Sequence, residues 1–400
     1  MAVRRRWGLW VALLLLVQFL SLAQAGATTT KAAAHRSNIQ YVSGHPVGLG
    51  KVLSSSDGGQ IFGWDINQYG TDGVLATSQI EGDGYKVSVQ TFDQMTAKVT
   101  HTFARHSGTR DSYGVDGIFA GDVALVTHYV VPHGTIYANR FYDLMNPVTA
   151  QRFTGPWTSP ITNFDVIEGA VNQTTSTSVL YGIDLNHGSA PGLVVSDLTT
   201  GTGRLIPLDP ETYKIGSAVV AQYTMRNHAF LAASNGTVGG DSPINALVNL
   251  TTGHIVEWFG LNEGPFGAGF VNGVAVDSST GVACTTTELN AMVQFYDQKT
   301  KSPITSVQLP GTGPADQLDS GAAIAADPKH HLFLVSDPVY APTGDSAIVV
   351  YRENGDFVEA ITGIHFGGFA QGPSRIAVNP KLRTGWIDGP GIDQIQQFFY

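Results

Sequence analysis

A pattern that returns about every fifty residues constrains this chain more than any single motif in it. An apolar, alternating segment that ends in Asp or Asn and a polar turn occurs as VSVQTFDQMTAK from 87, ANRFYDLMNPVTA from 138, GLVVSDLTTGTG from 192, NALVNLTTGH from 245 and AMVQFYDQKTK from 291. It returns as AIVVYRENGD from 347 and DQIQQFFY from 393. The turn residues Asp93, Asp143, Asp197, Asn249 and Asp297 are 50, 54, 52 and 48 residues apart. A second marker, a short apolar strand beginning at Leu75, Leu125, Leu180, Phe230, Ala283, Phe333 and Gly385, keeps spacings of 50, 55, 50, 53, 50 and 52. Two markers in one period identify a structural repeat, because insertions in an unrelated chain would not respect it.

Ahead of the second marker lies a third element, seen in VDGIFAGD, VNGVAVDS, SGAAIAAD and PSRIAVNP. Its small and β-branched residues run almost without polar interruption, as in a strand buried on both faces. Each unit therefore reads as an inner strand, a second strand, an Asp-ended third strand and an outer strand such as VTHTF, ITSVQL or VEAIT. Radial repetition of such units makes an all-β fold, a seven-bladed β-propeller with four-stranded antiparallel blades of about fifty residues. The last copy stops at the third strand, so residues 37–44, SNIQYVSG, are expected to supply the missing strand and close the ring. The domain would span residues 39–400, after a flexible segment at 26–38.

The unit FVNGVAVDSSTGVACTTTELNAMVQFYDQKTKSPITSVQLPG, residues 270–311, resembles the repeat of YVTN-type and NHL-type propellers. The shared features are an inner strand ending in Asp and Ser-Ser-Thr-Gly, a second strand, an apolar third strand, a polar turn and an outer strand. The resemblance covers nearly all of residues 39–400 and implies the propeller fold.

Residues 1–25 read as a signal peptide: Arg4, Arg5 and Arg6 start it, WGLWVALLLLVQFL is its apolar stretch and Ala23-Gln24-Ala25 its cleavage pattern. The protein is expected to be exported, periplasmic or extracellular, with no membrane span once the signal is removed. The single cysteine, Cys284, cannot form an internal disulfide and lies in an apolar strand pattern, so a buried thiol is expected. Losing residues 1–25 removes three arginines and no acids, making the formal net charge of −10 three units more negative. Such a chain is a poor nucleic-acid binder, since backbone binding needs Lys and Arg to neutralise phosphates.

Strand connections alternate between two ends of a propeller, and their lengths differ by end. The links DSSTG, DPKHH, DQKTK and RENGD are short turns. Links at the other end, such as ARHSGTRDSYGVD, GPWTSPITNFD, GLNEGPFGAGFVN, HYVVPHGTIY, DPVYAPTGDS and HFGGFAQGPS, are long and rich in Gly and aromatic residues. Binding residues concentrate on long loops held by a rigid scaffold. The candidate ligand-binding face is therefore Tyr113, Asp116, His133, Trp157, Glu168, Phe266, Asn272, Asp319, Tyr340 and Arg375. It would take a protein, peptide or glycan, with the chain a monomer. Asp116, Glu168, Asn272 and Asp319 fall where blades enter their inner strands, and converging oxygens there could hold Ca²⁺. The Asn272-Gly273 entry resembles a metal-ligand position of gluconolactonase-type propellers, which implies the alternative of a metal-dependent, lactonase-like hydrolase. No G-x-S-x-G, H-E-x-x-H, C-x-x-C or phosphate-loop motif is present to assign catalytic residues.

Overall fold

Short runs such as Ile376-Ala377-Val378 and Val293-Gln294-Phe295 are wide and β-branched or aromatic, shapes that favour a pleated, doubly covered strand over a helix. The computed structural model describes residues 40–42, 45–81, 84–107, 110–119, 123–131, 139–145, 152–153, 164–173, 175, 177–184, 190–197, 202–208, 215–224, 227–235, 243–259, 271–287, 292–310, 323–340, 345–364, 375–391 and 393–400. These residues form strands joined by turns. The expected signal peptide and the segment 26–38 lie outside them. Among the described residues no helix is long and apolar enough to cross a membrane.

Strands β1 (Gln40–Val42) and β2 (His45–Ser54) precede the first sheet, made of β3 (Gln60–Ile66), β4 (Asp72–Glu81), β5 (Gly84–Asp93) and β6 (Lys98–Ser107). The second sheet holds β7 (Arg110–Phe119), β8 (Val123–Val131), β9 (Asn139–Met145) and β10 (Arg152–Phe153), and the third β11 (Phe164–Asn172), β12 (Thr177–Asp184), β13 (Ala190–Asp197) and β14 (Thr202–Pro207). The fourth is β15 (Ile215–Thr224), β16 (His228–Asn235), β17 (Pro243–Asn249) and β18 (Ile255–Phe259). The fifth is β19 (Val271–Val276), β20 (Val282–Thr287), β21 (Met292–Asp297) and β22 (Ser302–Gln308). The sixth is β23 (Ile324–Asp327), β24 (Leu332–Tyr340), β25 (Asp345–Arg352) and β26 (Phe357–Ile364). A terminal sheet contains β27 (Ile376–Asn379), β28 (Thr384–Asp388) and β29 (Gln394–Phe399) together with the first two strands.

The chain is an all-β propeller of four-stranded antiparallel blades, and the expected blade count and closure are corrected. Among the described residues six sheets, not seven, are four-stranded blades. The terminal sheet has five strands in the order β1-β2-β29-β28-β27. Closure by residues 37–44 is not shown: among the described residues β1 pairs with β2, Gln40 lying opposite Val47 and Val42 opposite His45. The outer neighbour of β29 is β2, with Gly48 opposite Phe399 and Ser54 opposite Gln394. The sequence reading missed this because HPVGLGKVLS carries three turn-forming residues, two Gly and one Pro, that weaken its strand pattern. The ladder absorbs the awkward stretch by an irregularity between Leu49 and Val52. One further turn residue moves: Asp143 lies inside β9 rather than at its end.

The first strand of each sheet lies beside the first strand of the next, and β27 lies beside β3. The apolar clusters accordingly sit between sheets. Leu334, Ile348, Val350, Ile376, Val378, Ile387 and Phe398 join the sixth and terminal sheets. Phe230, Ala232, Leu247, Phe259, Val274, Ala283 and Tyr296 join the fourth and fifth. Outer strands are wetter, as in β22, where exposed and half-buried positions interchange. Cys284 is fully buried in the cluster between the fifth and sixth sheets, the thiol environment expected from the sequence. Burial pushes its pKa well up.

Glycine is required where a third-strand phenylalanine lies across the second strand. A Cβ on Gly73 would meet the Phe92 ring at 2.2 Å, and one on Gly385 would meet the Phe398 ring at 2.1 Å.

Candidate functional site

At the ends of the inner strands β3, β19, β23 and β27 stands a residue whose side chain builds the following turn. Asn67 Oδ1 accepts from the N–H groups of Tyr69 and Gly70, both at 3.0 Å. Asp277 Oδ1 accepts from Ser279 N at 2.8 Å and Thr280 N at 3.3 Å, Asp327 Oδ1 from Lys329 N and His330 N, and Asn379 Oδ1 from Lys381 N and Leu382 N. Asp93, Asn249 and Asp297 do the same at the ends of third strands. The recurring Asp or Asn is thus a turn former, because its short side chain mimics a backbone acceptor. Burial disfavours the charge of Asp93 and Asp297, but backbone and side-chain donors in these turns outweigh it and lower both pKa values.

The remaining atoms of these buried residues tie blades together. Asn379 Nδ2 donates to Gly70 O at 2.7 Å, Asn67 O at 3.2 Å and Gln94 Oε1 at 3.2 Å, joining terminal and first sheets. Asp327 Oδ2 accepts from the Tyr400 hydroxyl at 2.9 Å and lies 2.7 Å from His330 Nδ1. Asp277 Oδ2 lies 3.0 Å from His331 Nδ1 across the boundary between the fifth and sixth sheets. Thr280 Oγ1 of the same turn hydrogen-bonds Glu353 Oε1. The sequence reading took DSSTG and DPKHH for plain turns. The missed signal was two adjacent histidines, His330 and His331, in a repeat position that the other blades fill otherwise.

Six of the ten residues expected on the binding face are described, and they lie on or beside the strands away from these turns. His133, Trp157, Phe266 and Asp319 lie outside the described residues. Tyr113 sits on β7 opposite His128, and Asp116 is the extra residue of a bulge between Val115 and Gly117. Asn272 is the extra residue of the matching bulge in β19, between Val271 and Gly273. Phe62 and Ile167 occupy that place in β3 and β11. Glu168 therefore follows the bulge instead of forming it. Bulges re-aim backbone near sheet rims, so Asp116 and Asn272 share a backbone setting that Glu168 does not. Tyr340 closes β24 opposite Asp345.

Arg375 immediately precedes β27 and works as a blade tie. Its guanidinium donates to Trp64 O at 2.8 Å, and its backbone N–H donates to Asp388 Oδ2 at 3.3 Å. Asp388 Oδ1 accepts from Trp64 Nε1 at 2.6 Å. In the link ahead of β3, Asp57 accepts from Ser88 Oγ at 2.7 Å, Thr77 Oγ1 at 3.0 Å and Gly59 N at 3.1 Å. Burial works against the Asp57 charge, but these donors outweigh it and lower the pKa.

No protein-family model matches the sequence, and no curated protein matches it. The YVTN-type and NHL-type resemblance thus has no family match behind it. Solved structures are similar in fold. The WD40 repeats of RRP9 superpose with a TM-score of 0.59 at 11% identity, covering 90% of this chain and 99% of that one. Raptor of Chaetomium thermophilum gives 0.57 at 11% identity over 91% of this chain, which spans 29% of the Raptor chain. Sqt1 of Chaetomium thermophilum, solved bound to the N-terminus of ribosomal protein L10, gives 0.55 at 10% identity over 88% of this chain and 99% of that one. These likenesses show a β-propeller fold, similar to that of WD40-repeat structures.

Proposed function

We propose that this chain is an exported binding propeller that holds a protein, peptide or glycan on its long-loop end. The observation that carries the reading is the asymmetry of the two ends. Sheets are connected by long links at 260–270, 309–323 and 365–375, whereas the other end closes with turns such as 298–301, 328–331 and 353–356. In those turns Thr300, His330, His331, Glu353 and Asn354 make side-chain contacts within the turn or between blades. Variable long loops on an interdigitated scaffold are the arrangement in which recognition residues can change without disturbing the core. Sqt1, a propeller of similar fold, is seen with a bound peptide segment, which agrees with this use of the scaffold.

The test is an array of peptides and glycans probed with the mature chain. Hits should be lost when 260–270 or 365–374 is replaced by a Gly-Ser link, and kept when Gln298–Lys301 is replaced by the Gln94–Ala97 sequence. Hits lost only through the second change would place recognition at the other end and reject the reading.

A further inference from the structure

We propose that Asp277, His331 and Glu353 form a transition-metal site, of the kind that takes Zn²⁺, at the boundary of the fifth and sixth sheets. The three ligand atoms come from three elements: the end of β19, the β23–β24 turn and the β25–β26 turn. They lie within 4.8 Å of one another. Asp277 Oδ2 is 3.0 Å from His331 Nδ1, which is 3.8 Å from Glu353 Oε1. Ligands about 2.1 Å from a tetrahedral zinc stand roughly 3.4 Å apart, so the set requires only small side-chain adjustments to surround an ion.

The donor chemistry narrows the choice. One imidazole and two carboxylates suit Zn²⁺ or its neighbours, whereas Ca²⁺ wants six or more oxygens. Outer contacts already orient the ligands: Ser279 N, Ser279 Oγ and Thr280 N hold the other Asp277 oxygen, and Thr280 Oγ1 holds Glu353. Hydrogen bonds to a ligand's own side chain are what keep it in place for a metal. The Asp277 carboxylate is fully buried, while the His331 side chain is 53% exposed, leaving a solvent path for an ion.

His331 also occupies a place that favours glycine. It has φ 56°, and Gly281, its counterpart in the fifth sheet, has φ 85°. Arg383 holds the same left-handed place in the terminal sheet, with φ 54°, so the fold accommodates a side chain there. The arrangement is independent of the long-loop end and would make metal a staple between two blades.

Metal-stripped protein titrated with Zn²⁺ alone in a calorimeter should bind one ion per chain, and Co²⁺ alone should give visible d–d absorption. His331→Gly and Glu353→Gln should each weaken Zn²⁺ by about 10- to 100-fold or more, since losing even an outer partner of a ligand has that effect. His331→Gly suits its φ and so preserves the turn. His254→Ala, in another sheet, should leave the affinity unchanged. Absence of uptake at millimolar Zn²⁺, or uptake unaltered in both site variants, overturns the proposal.

Discussion

The boundary between the terminal and first sheets adds side-chain amide bonds to a buried aromatic cluster, whereas the boundary between the fourth and fifth is packed mainly by aromatic rings. At the first, Asn379 Nδ2 and Gln397 Nε2 donate from the terminal sheet to backbone oxygens of the first, with Gln397 Nε2 donating to Gln94 O at 2.9 Å. At the second, Phe230, Phe259 and Tyr296 stack with ring centroids 5.3–5.8 Å apart. Both are buried. Amide contacts are directional, so they fix the relative position of two sheets whose strands come from opposite parts of the chain. Aromatic contacts tolerate sliding and supply area, which suffices where the chain itself runs from one sheet into the next.

The largest effect should come from Trp386→Ala. Trp386 is fully buried beside Phe92, centroids 5.3 Å apart, in the cluster that also holds Leu53, Trp64 and Ile395. Its loss should cost about 3–5 kcal/mol in urea unfolding, the usual range for a buried Trp. A cost below about 1 kcal/mol would mean this boundary is not part of the cooperative core. Asn379→Ala comes next. Removing its amide leaves Gly70 O with only a 3.5 Å bond from Gln94 and takes the acceptor out of the turn after β27, so about 1–3 kcal/mol is expected.

Tyr296→Phe probes the aromatic boundary and should cost about 1 kcal/mol, because it deletes one hydroxyl bond to Gln294 and keeps the ring. If it costs as much as Asn379→Ala, the contrast between amide-held and aromatic-held boundaries fails. The smallest effect is a pH dependence at Asp57. Its folded pKa lies below the ordinary 3.8, so its contribution is complete above that value and is lost as pH falls through the folded pKa. The melting-temperature gap between the native chain and Asp57→Asn should be constant from pH 7 to about 4 and close below it. A gap that widens on acidification would show that the sign is wrong.

Much of the blade was legible because its cause is local. Period-two patterning marks a strand, an Asp or Asn acceptor marks the turn that ends it, and a conserved interval carries both around the fold, as the turns at Asn67, Asp277, Asp327 and Asn379 show. The glycine opposite Phe92 and Phe398 was present in the repeat but silent, since only ring placement reveals why a Cβ is excluded there. The candidate site was read less well. Asp116 and Asn272 share a bulge, while Glu168 falls one residue beyond it, because a bulge changes register without changing composition.

The sequence by itself determined the repeating strand unit, the chemistry of its turns and the burial of Cys284, all properties of residues near one another in the chain. Tertiary structure alone decided that β2 lies outside β29 and that the terminal sheet has five strands. It also decided that Asp277 meets His331 and Glu353. Those pairings join segments 54, 76 or more than 300 residues apart. Which of several compatible strand edges or turns meet is selected by the packing of whole sheets, and no local pattern encodes that choice.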